Sequence, residues 1–307
     1  MSCPICSSHR FRKLKQYRNQ DSFFDKKNIC ECEICKMQFI HPMPLKDKWE
    51  KYNSNYFLNA HGGTDVSPWI YSYNMGVAKV RFKVLSDYIL KNNIDVKSIL
   101  EVGPGSGYLL TVWKEKYPNS KYYVVESDNS VYNKLESLGA IIIDSDNISN
   151  IGKVDLIIST HVLEHTIKPI DFLSHFCSVL RKGGGVFIET PCQDHLYKKF
   201  HEPHLQFFDK NNLLDCFKAI GLENVLFSYN GDRIKNLIWI SCIKKIFVKI
   251  EKVTTFPFHT FLGRVWPNRL EFGLTNMEAL AIVETSPHIE HNFKSRWVRA
   301  FGQKGIK

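Results

Sequence analysis

The sequence predicts an α/β fold, a parallel sheet with helices on both faces, preceded by a small cysteine-rich module. Three observations carry this expectation. Short apolar runs such as SILEVG (98–103), VDLIIST (154–160) and GVFIETP (185–191) are continuous rather than alternating, as in strands buried on both faces. Helical patterns separate these runs in regular succession. Cys3, Cys6, Cys30, Cys32 and Cys35 all fall at the front of a chain that has 9 cysteines in total.

Taken in order, residues 1–45 read as the cysteine-rich module, closing near HPMPL. Residues 46–75 are rich in Tyr and Asn and read as a connector with a helical turn or two. Its tyrosines Tyr52, Tyr56, Tyr71 and Tyr73 are candidates to roof a site. From residue 76 to the C-terminus the chain reads as one domain. Residues 76–93 place Val77, Val80, Val84, Leu85, Tyr88 and Ile89 on one helical face. The helix over 107–118 is stopped by Pro118, and that over 129–139 ends at Gly139. Between and after them come the strands KYYVVES (121–127) and AIIID (140–144). A helix is expected over 170–184 and another over 209–221, with Asp209 as its N-cap. NVLFSYN (224–230) and EALAIVE (278–284) are expected to close the sheet. Residues 231–277 between them form a basic, apolar insertion. Its stretch 233–250 suits a helix with snorkelling lysines, a cap over the site, or peripheral contact with an acidic membrane surface.

Composition narrows the class. The chain has 307 residues, 44% of them hydrophobic and 13% aromatic, which excludes disorder as its main state. No run approaches the roughly 18–20 apolar residues that cross a bilayer. MSCPICSSHR lacks the apolar core of a signal peptide, so a cytoplasmic, reducing setting without disulfides is expected. The net charge of +10 divides unevenly: residues 1–60 carry +5, 61–230 carry −2 and 231–307 carry +7. Basic ends fit plain solubility, nucleic acid, an acidic membrane surface or an anionic small-molecule acceptor.

The chemistry concentrates around EVGPGSG (101–107), which joins a buried strand to a helix. Gly103, Gly105 and Gly107 allow a sharp turn and close approach of a ligand to the backbone, and the helix start offers free N–H groups. Glu126 ends the next strand, where a carboxylate can accept hydrogen bonds from both ribose hydroxyls of an adenosine ligand. A dinucleotide fingerprint needs Gly-x-Gly-x-x-Gly. Here the third glycine comes one residue early and Tyr108 takes its place, which favours S-adenosylmethionine over NAD.

EVGPGSG, Glu126, VDLIISTHVLEH and RKGGGVFIETP, in this order and spacing, resemble class I S-adenosylmethionine-dependent methyltransferases over about residues 76–285. The fold implied is a Rossmann-like, seven-stranded methyltransferase sheet. HVLEH and HEPHLQFFDKNNLLDCFKAIGL (201–222) resemble the branch that mainly methylates small molecules, sugars and lipid quinones. The resemblance implies that Glu101, Gly103, Gly105 and Gly107 line the methionine half of the cofactor and that Glu126 holds the ribose. Asp144 or Asp146 would face the adenine amine. Ser159, Thr160 and His161 would lie beside the sulfonium, while Asp155 has a structural role open to it.

Methyl transfer to a hydroxyl needs alignment and removal of a proton, which histidine suits at neutral pH. His204, His201 and His161 are the candidate bases, and His165 is a candidate for local backbone contacts. A metal-dependent alternative would pair His201 and His204 with Glu202 or Asp194. Separately, Cys3-Pro-Ile-Cys6 and Cys32-Glu-Ile-Cys35 form two Cys-x2-Cys knuckles whose thiolates suit tetrahedral, structural Zn2+. Cys30 is the alternative to Cys32. The module resembles N-terminal zinc ribbons of some methyltransferases in glycan and natural-product pathways. Sugar C-methyltransferases that share it are generally longer at the C-terminus, so O-methylation of a small molecule or saccharide is expected. An RNA methyltransferase, gripping phosphates through the ribbon and basic ends, is the alternative. A non-catalytic zinc-binding scaffold is a third possibility, disfavoured by the intact glycine loop and Glu126.

Overall fold

The computed structural model describes residues 2–66, 68–235 and 294–305. At the front, β1 (Phe11–Gln16), β2 (Asn28–Cys32) and β3 (Gln38–His41) form an antiparallel meander. Tyr17, Phe24, Trp49 and Tyr52 fill a small aromatic core beneath it. Next come α1 (Lys46–Asn53) and α2 (Tyr56–His61), the latter closed by Gly62 in the left-handed conformation with φ 74°. The long α3 (Pro68–Lys91) starts within the connector, earlier than the apolar face alone indicates.

The alternating series then builds the main sheet. Its parallel strands are β4 (Ser98–Val102), β5 (Lys121–Val125), β6 (Ile141–Ile142), β7 (Val154–Thr160) and β8 (Leu180–Pro191). The intervening helices are α4 (Tyr108–Lys116), α5 (Tyr132–Ser137) and α6 (Pro169–Cys177). A two-residue strand β9 (Gln206–Phe207) leaves the main sheet and pairs with β3, completing the small one. After α7 (Lys210–Ala219), whose first N–H groups at Asn211 and Asn212 are capped by the Asp209 carboxylate, come β10 (Leu222–Arg233) and β11 (Ser295–Lys304). The seven-stranded order is β10-β11-β8-β7-β4-β5-β6.

The sheet is apolar on both faces because each is covered by helices. Leu173 and Phe176 of α6 and Leu213 and Phe217 of α7 pack on one side. Leu85 of α3, Leu110 and Trp113 of α4 and Leu135 of α5 pack on the other. Asp155 ties the strand starts together, accepting from the Lys97 and Ser98 backbone at 2.9 and 2.8 Å and pairing with Arg181.

Two expectations are corrected. The helix over 170–184 stops at Cys177, because Leu180 already pairs with Val154 and the Arg-Lys-Gly-Gly stretch belongs to the strand. The strand between β10 and β8 is residues 295–304, antiparallel to both. The expected strand over 278–284 and residues 236–277 of the expected insertion lie outside the described residues, while residues 231–233 continue β10. No helix among the described residues is long and apolar enough to cross a membrane.

Candidate functional site

Parallel strands converge their carboxyl ends on one cleft of about 1640 Å³. That exceeds the roughly 300–1,000 Å³ usual for a single small ligand, so cofactor and acceptor fit together. The connector roofs it: Trp49, Tyr56, Phe57 and Tyr73 line it. The roof is anchored by the Trp49 indole N–H on the His165 carbonyl at 2.7 Å and by the Phe57 N–H on Asp128 at 2.8 Å. Tyr52 instead belongs to the aromatic core of the ribbon, and Tyr71 is exposed against Tyr108.

The glycine loop forms the floor. Gly103 has φ 71°, and a Cβ there would come within 2.3 Å of Val162 Cγ2, so no larger residue fits. Gly105 and Glu126 also face the cleft. The Glu126 carboxylate accepts from the backbone N–H groups of Gly105 (3.1 Å), Ser127 (2.8 Å) and Asp128 (3.1 Å). Burial nevertheless raises its pKa, outweighing those three donors. Asp144 is on the wall and caps the Asp146 N–H at 2.8 Å, whereas Asp146 is not on the wall.

Three further expected cofactor residues are not on the wall. Gly107 starts α4 with φ 76° and makes room for Leu138 and Leu135, so its role is helix packing. Ser159 is buried inside the sheet. Glu101 is 2% exposed and accepts from the Tyr122 hydroxyl at 2.8 Å, behind the loop rather than facing the cleft. Burial pushes its carboxyl up to about 7, against the Tyr122 hydrogen bond and Arg81, with Glu126 adding to the rise. A pKa raised on folding contributes stability that is fully present below the ordinary glutamate range and lost as pH rises through about 7. Glu101→Gln is therefore expected to flatten the fall in thermal midpoint between pH 5 and 7.5, an effect of up to about 3 kcal/mol. An unchanged slope would contradict the assignment.

At the end of β7, Thr160 and His161 reach the cleft. His161 holds φ 57°, a left-handed conformation uncommon for a non-glycine residue and one that accumulates at functional sites. Its N–H on the Glu189 carbonyl at 2.8 Å holds the turn. The ring stands between two carboxylates, Nδ1 3.4 Å from Glu164 and Nε2 3.2 Å from Glu189. Burial opposes the charged ring, but the carboxylates outweigh it and raise its pKa. Glu189 is itself held well below the carboxylate range, because Arg299 and Arg81 overcome its burial. Both guanidinium groups bond it directly.

His165 is also on the wall, with burial driving its pKa down to about 3. His201 and His204, the other candidate bases, are not on the wall. His201 is buried, accepts from Arg18 Nε at 3.3 Å and meets the Tyr17 ring edge-on, so it joins ribbon to loop. His204 lies behind His165, its Nδ1 2.9 Å from Asp194. The pairing of His201 and His204 with Glu202 or Asp194 around a metal does not form among the described residues. Arg81, Arg299 and Glu189 were missed by sequence reasoning. Only Arg299, an arginine inside an otherwise strand-like run, leaves a visible signal.

At the front, the Sγ atoms of Cys3, Cys6, Cys32 and Cys35 lie within 4.8 Å of one another. The closest pairs, Cys3–Cys35 and Cys6–Cys32, are both at 3.5 Å. Cys30 is buried but is not among the four converging thiols, whereas Cys32 is. Four convergent thiols suit a tetrahedral thiophilic ion.

Residues 77–226 match the family described as methyltransferase domain. The chain carries an S-adenosylmethionine-dependent methyltransferase domain. Among solved structures it is similar to a methyltransferase of Thermotoga maritima described as a possible histamine N-methyltransferase. The TM-score is 0.51 at 14% identity, covering 83% of this chain and 99% of that one. A methyltransferase of Archaeoglobus fulgidus gives a TM-score of 0.48 at 15% identity, covering 81% and 98%. The plantazolicin methyltransferase BamL gives 0.47 at 13% identity, covering 86% and 92%. At such identities the likeness is one of fold. No curated protein matches the chain significantly.

Proposed function

We propose that this methyltransferase domain transfers a methyl group to a hydroxyl of a small molecule or saccharide, with His161 as the base. The observation that carries this is His161 itself, on the wall of a roofed cleft and between two carboxylates. Bound S-adenosylmethionine supplies a methyl group already activated on a sulfonium. Glu126 holds the ribose hydroxyls, Asp144 faces the adenine, and the loop at Gly103 and Gly105 takes the methionine half. With Nδ1–H turned to Glu164, the neutral ring accepts the hydroxyl proton at Nε2 from an acceptor seated beside it, and Glu164 and Glu189 stabilise the imidazolium that forms. Arg81 and Arg299 keep Glu189 ionised for that purpose.

The roof favours a small acceptor over RNA, since α1 and α2 cover the ground a nucleic-acid strand would need. Beyond Glu126 and Asp144, the wall holds Lys46, Arg81, Lys168 and Arg296 against Glu50, Asp65 and Asp171. In the ribbon, we assign a structural Zn2+ to Cys3, Cys6, Cys32 and Cys35.

Transfer of labelled methyl from S-adenosylmethionine to pools of sugar nucleotides, small hydroxylated metabolites and total RNA tests this. Label is expected in a small hydroxylated compound, and His161→Ala is expected to slow its formation by about 100-fold while leaving cofactor affinity within about 3-fold. Label confined to RNA, or a His161→Ala rate equal to wild type, would refute the proposal.

A further inference from the structure

Beside His161, and reaching the cleft wall at His165, lies a cluster of buried groups of which the proposed methyl transfer uses only Glu164. Glu164, His165 and His204 each bring one ligand atom to within 4.8 Å of the others. We propose that these three residues form a second cation site, for a first-row divalent ion such as Zn2+, separate from the four-cysteine centre.

The hydrogen positions make the case. His165 Nδ1 lies 3.3 Å from the Pro203 carbonyl oxygen. A carbonyl only accepts, so Nδ1 carries the hydrogen and Nε2, 3.8 Å from Glu164 Oε1, keeps its lone pair. His204 is placed similarly by an ion pair, with no hydrogen bond of good geometry at its Nδ1 among the described residues. Its Nδ1 is 2.9 Å from Asp194 Oδ2, a carboxylate oxygen that also takes the Lys198 ammonium at 2.7 Å. Nε2 of His204 is thereby the lone-pair nitrogen. Glu164 Oε2 accepts from the Thr190 hydroxyl at 3.0 Å, while Oε1 accepts no hydrogen bond of good geometry from the described residues. Its nearest N–H candidate is His161 Nδ1 at 3.4 Å. Three electron-rich atoms thus converge among buried side chains, an arrangement that a positive centre makes favourable.

The surroundings are those of a metal shell. An acceptor behind each imidazole fixes its tautomer and aims the other nitrogen, as outer-shell partners of metal-bound histidines do. The backbones are pinned too. Leu205 N–H donates to the Glu164 carbonyl at 2.9 Å, and the Tyr17 hydroxyl donates to the His204 carbonyl at 3.0 Å. Two imidazoles and a carboxylate suit Zn2+, Fe2+ or Mn2+. Bond lengths of about 2.0–2.2 Å draw the three atoms inward by roughly an ångström, within reach of side-chain rotation. A cation there ties the loop carrying β9 to the helical turn just after His161.

The test is metal content of the full-length protein, stripped with chelator and reloaded with Zn2+ or Co2+. Wild type is expected to retain one equivalent with the thiolate charge-transfer band of cobalt and a second without it. Glu164→Gln and His204→Gln are expected to lose only the second, and the persisting thiolate band shows that each variant has folded. His165→Gln gives a third variant should either of the others fail to fold. The proposal is overturned if all cobalt in wild type carries the thiolate band, which leaves the cluster bridged by protons alone. It is equally overturned if the equivalent without the band survives these substitutions.

Discussion

Replacing Glu126 by alanine is expected to weaken S-adenosylmethionine binding by about 10²–10⁴-fold. Each hydrogen bond from a ribose hydroxyl to a carboxylate contributes about 1.5–3 kcal/mol, and Glu126 is placed to accept two. The substitution also removes the acceptor for the N–H groups of Gly105, Ser127 and Asp128, so the glycine loop loses its tether to the end of β5. Titration calorimetry reads the loss directly, and Glu126→Gln, which keeps one carbonyl acceptor, should fall between wild type and alanine. An alanine variant with affinity within about 3-fold of wild type would remove Glu126 from the cofactor site.

The second large effect is expected from the ribbon. Structural zinc contributes about 10–16 kcal/mol to small zinc modules, so with the ion proposed for the four thiols Cys32→Ala should melt residues 1–45 locally. Damage should reach the main domain, because Lys15 donates to the His195 carbonyl at 2.6 Å and the Asn212 amide to the Cys35 carbonyl at 2.9 Å. The variant is expected to lose the thiolate-bound ion, to be cleaved by protease within the ribbon, and to methylate more slowly. Cys30→Ala is the control, since Cys30 is buried but does not join the four converging thiols. A Cys30→Ala protein that also loses the metal, or a Cys32→Ala protein that keeps it, would redraw the ligand set.

The parts of this molecule that were legible in its sequence are those whose chemistry is local. The buried parallel strands announce themselves as unbroken apolar runs, and the glycine loop and Glu126 are one strand apart. The two cysteine knuckles likewise carry their geometry in their spacing. What escaped notice depends on distant partners. β11 does not resemble a central strand, because Arg296 and Arg299 interrupt it, and Arg299 becomes tolerable only once Glu189 and Asn230 are beside it. His201 and His204 sit in a loop that follows β8, so sequence places them near the cleft. Their burial under Tyr17 and Asp194 is visible only once the ribbon is docked. The same holds for α6, cut short by the pairing of Leu180 with Val154.

The pairing of β3 with β9 has a consequence for the order of synthesis. Gln38 and Phe39 emerge from the ribosome early, but their partners Phe207 and Gln206 follow roughly 170 residues later. At about 5–20 residues per second, the first module waits some 10–30 s with one sheet edge open. Its four thiols are all present by residue 35, so metal capture can hold the nascent meander together through that interval. An ion bound there, as proposed, would guard an exposed edge against wrong partners before it had any mature protein to stabilise.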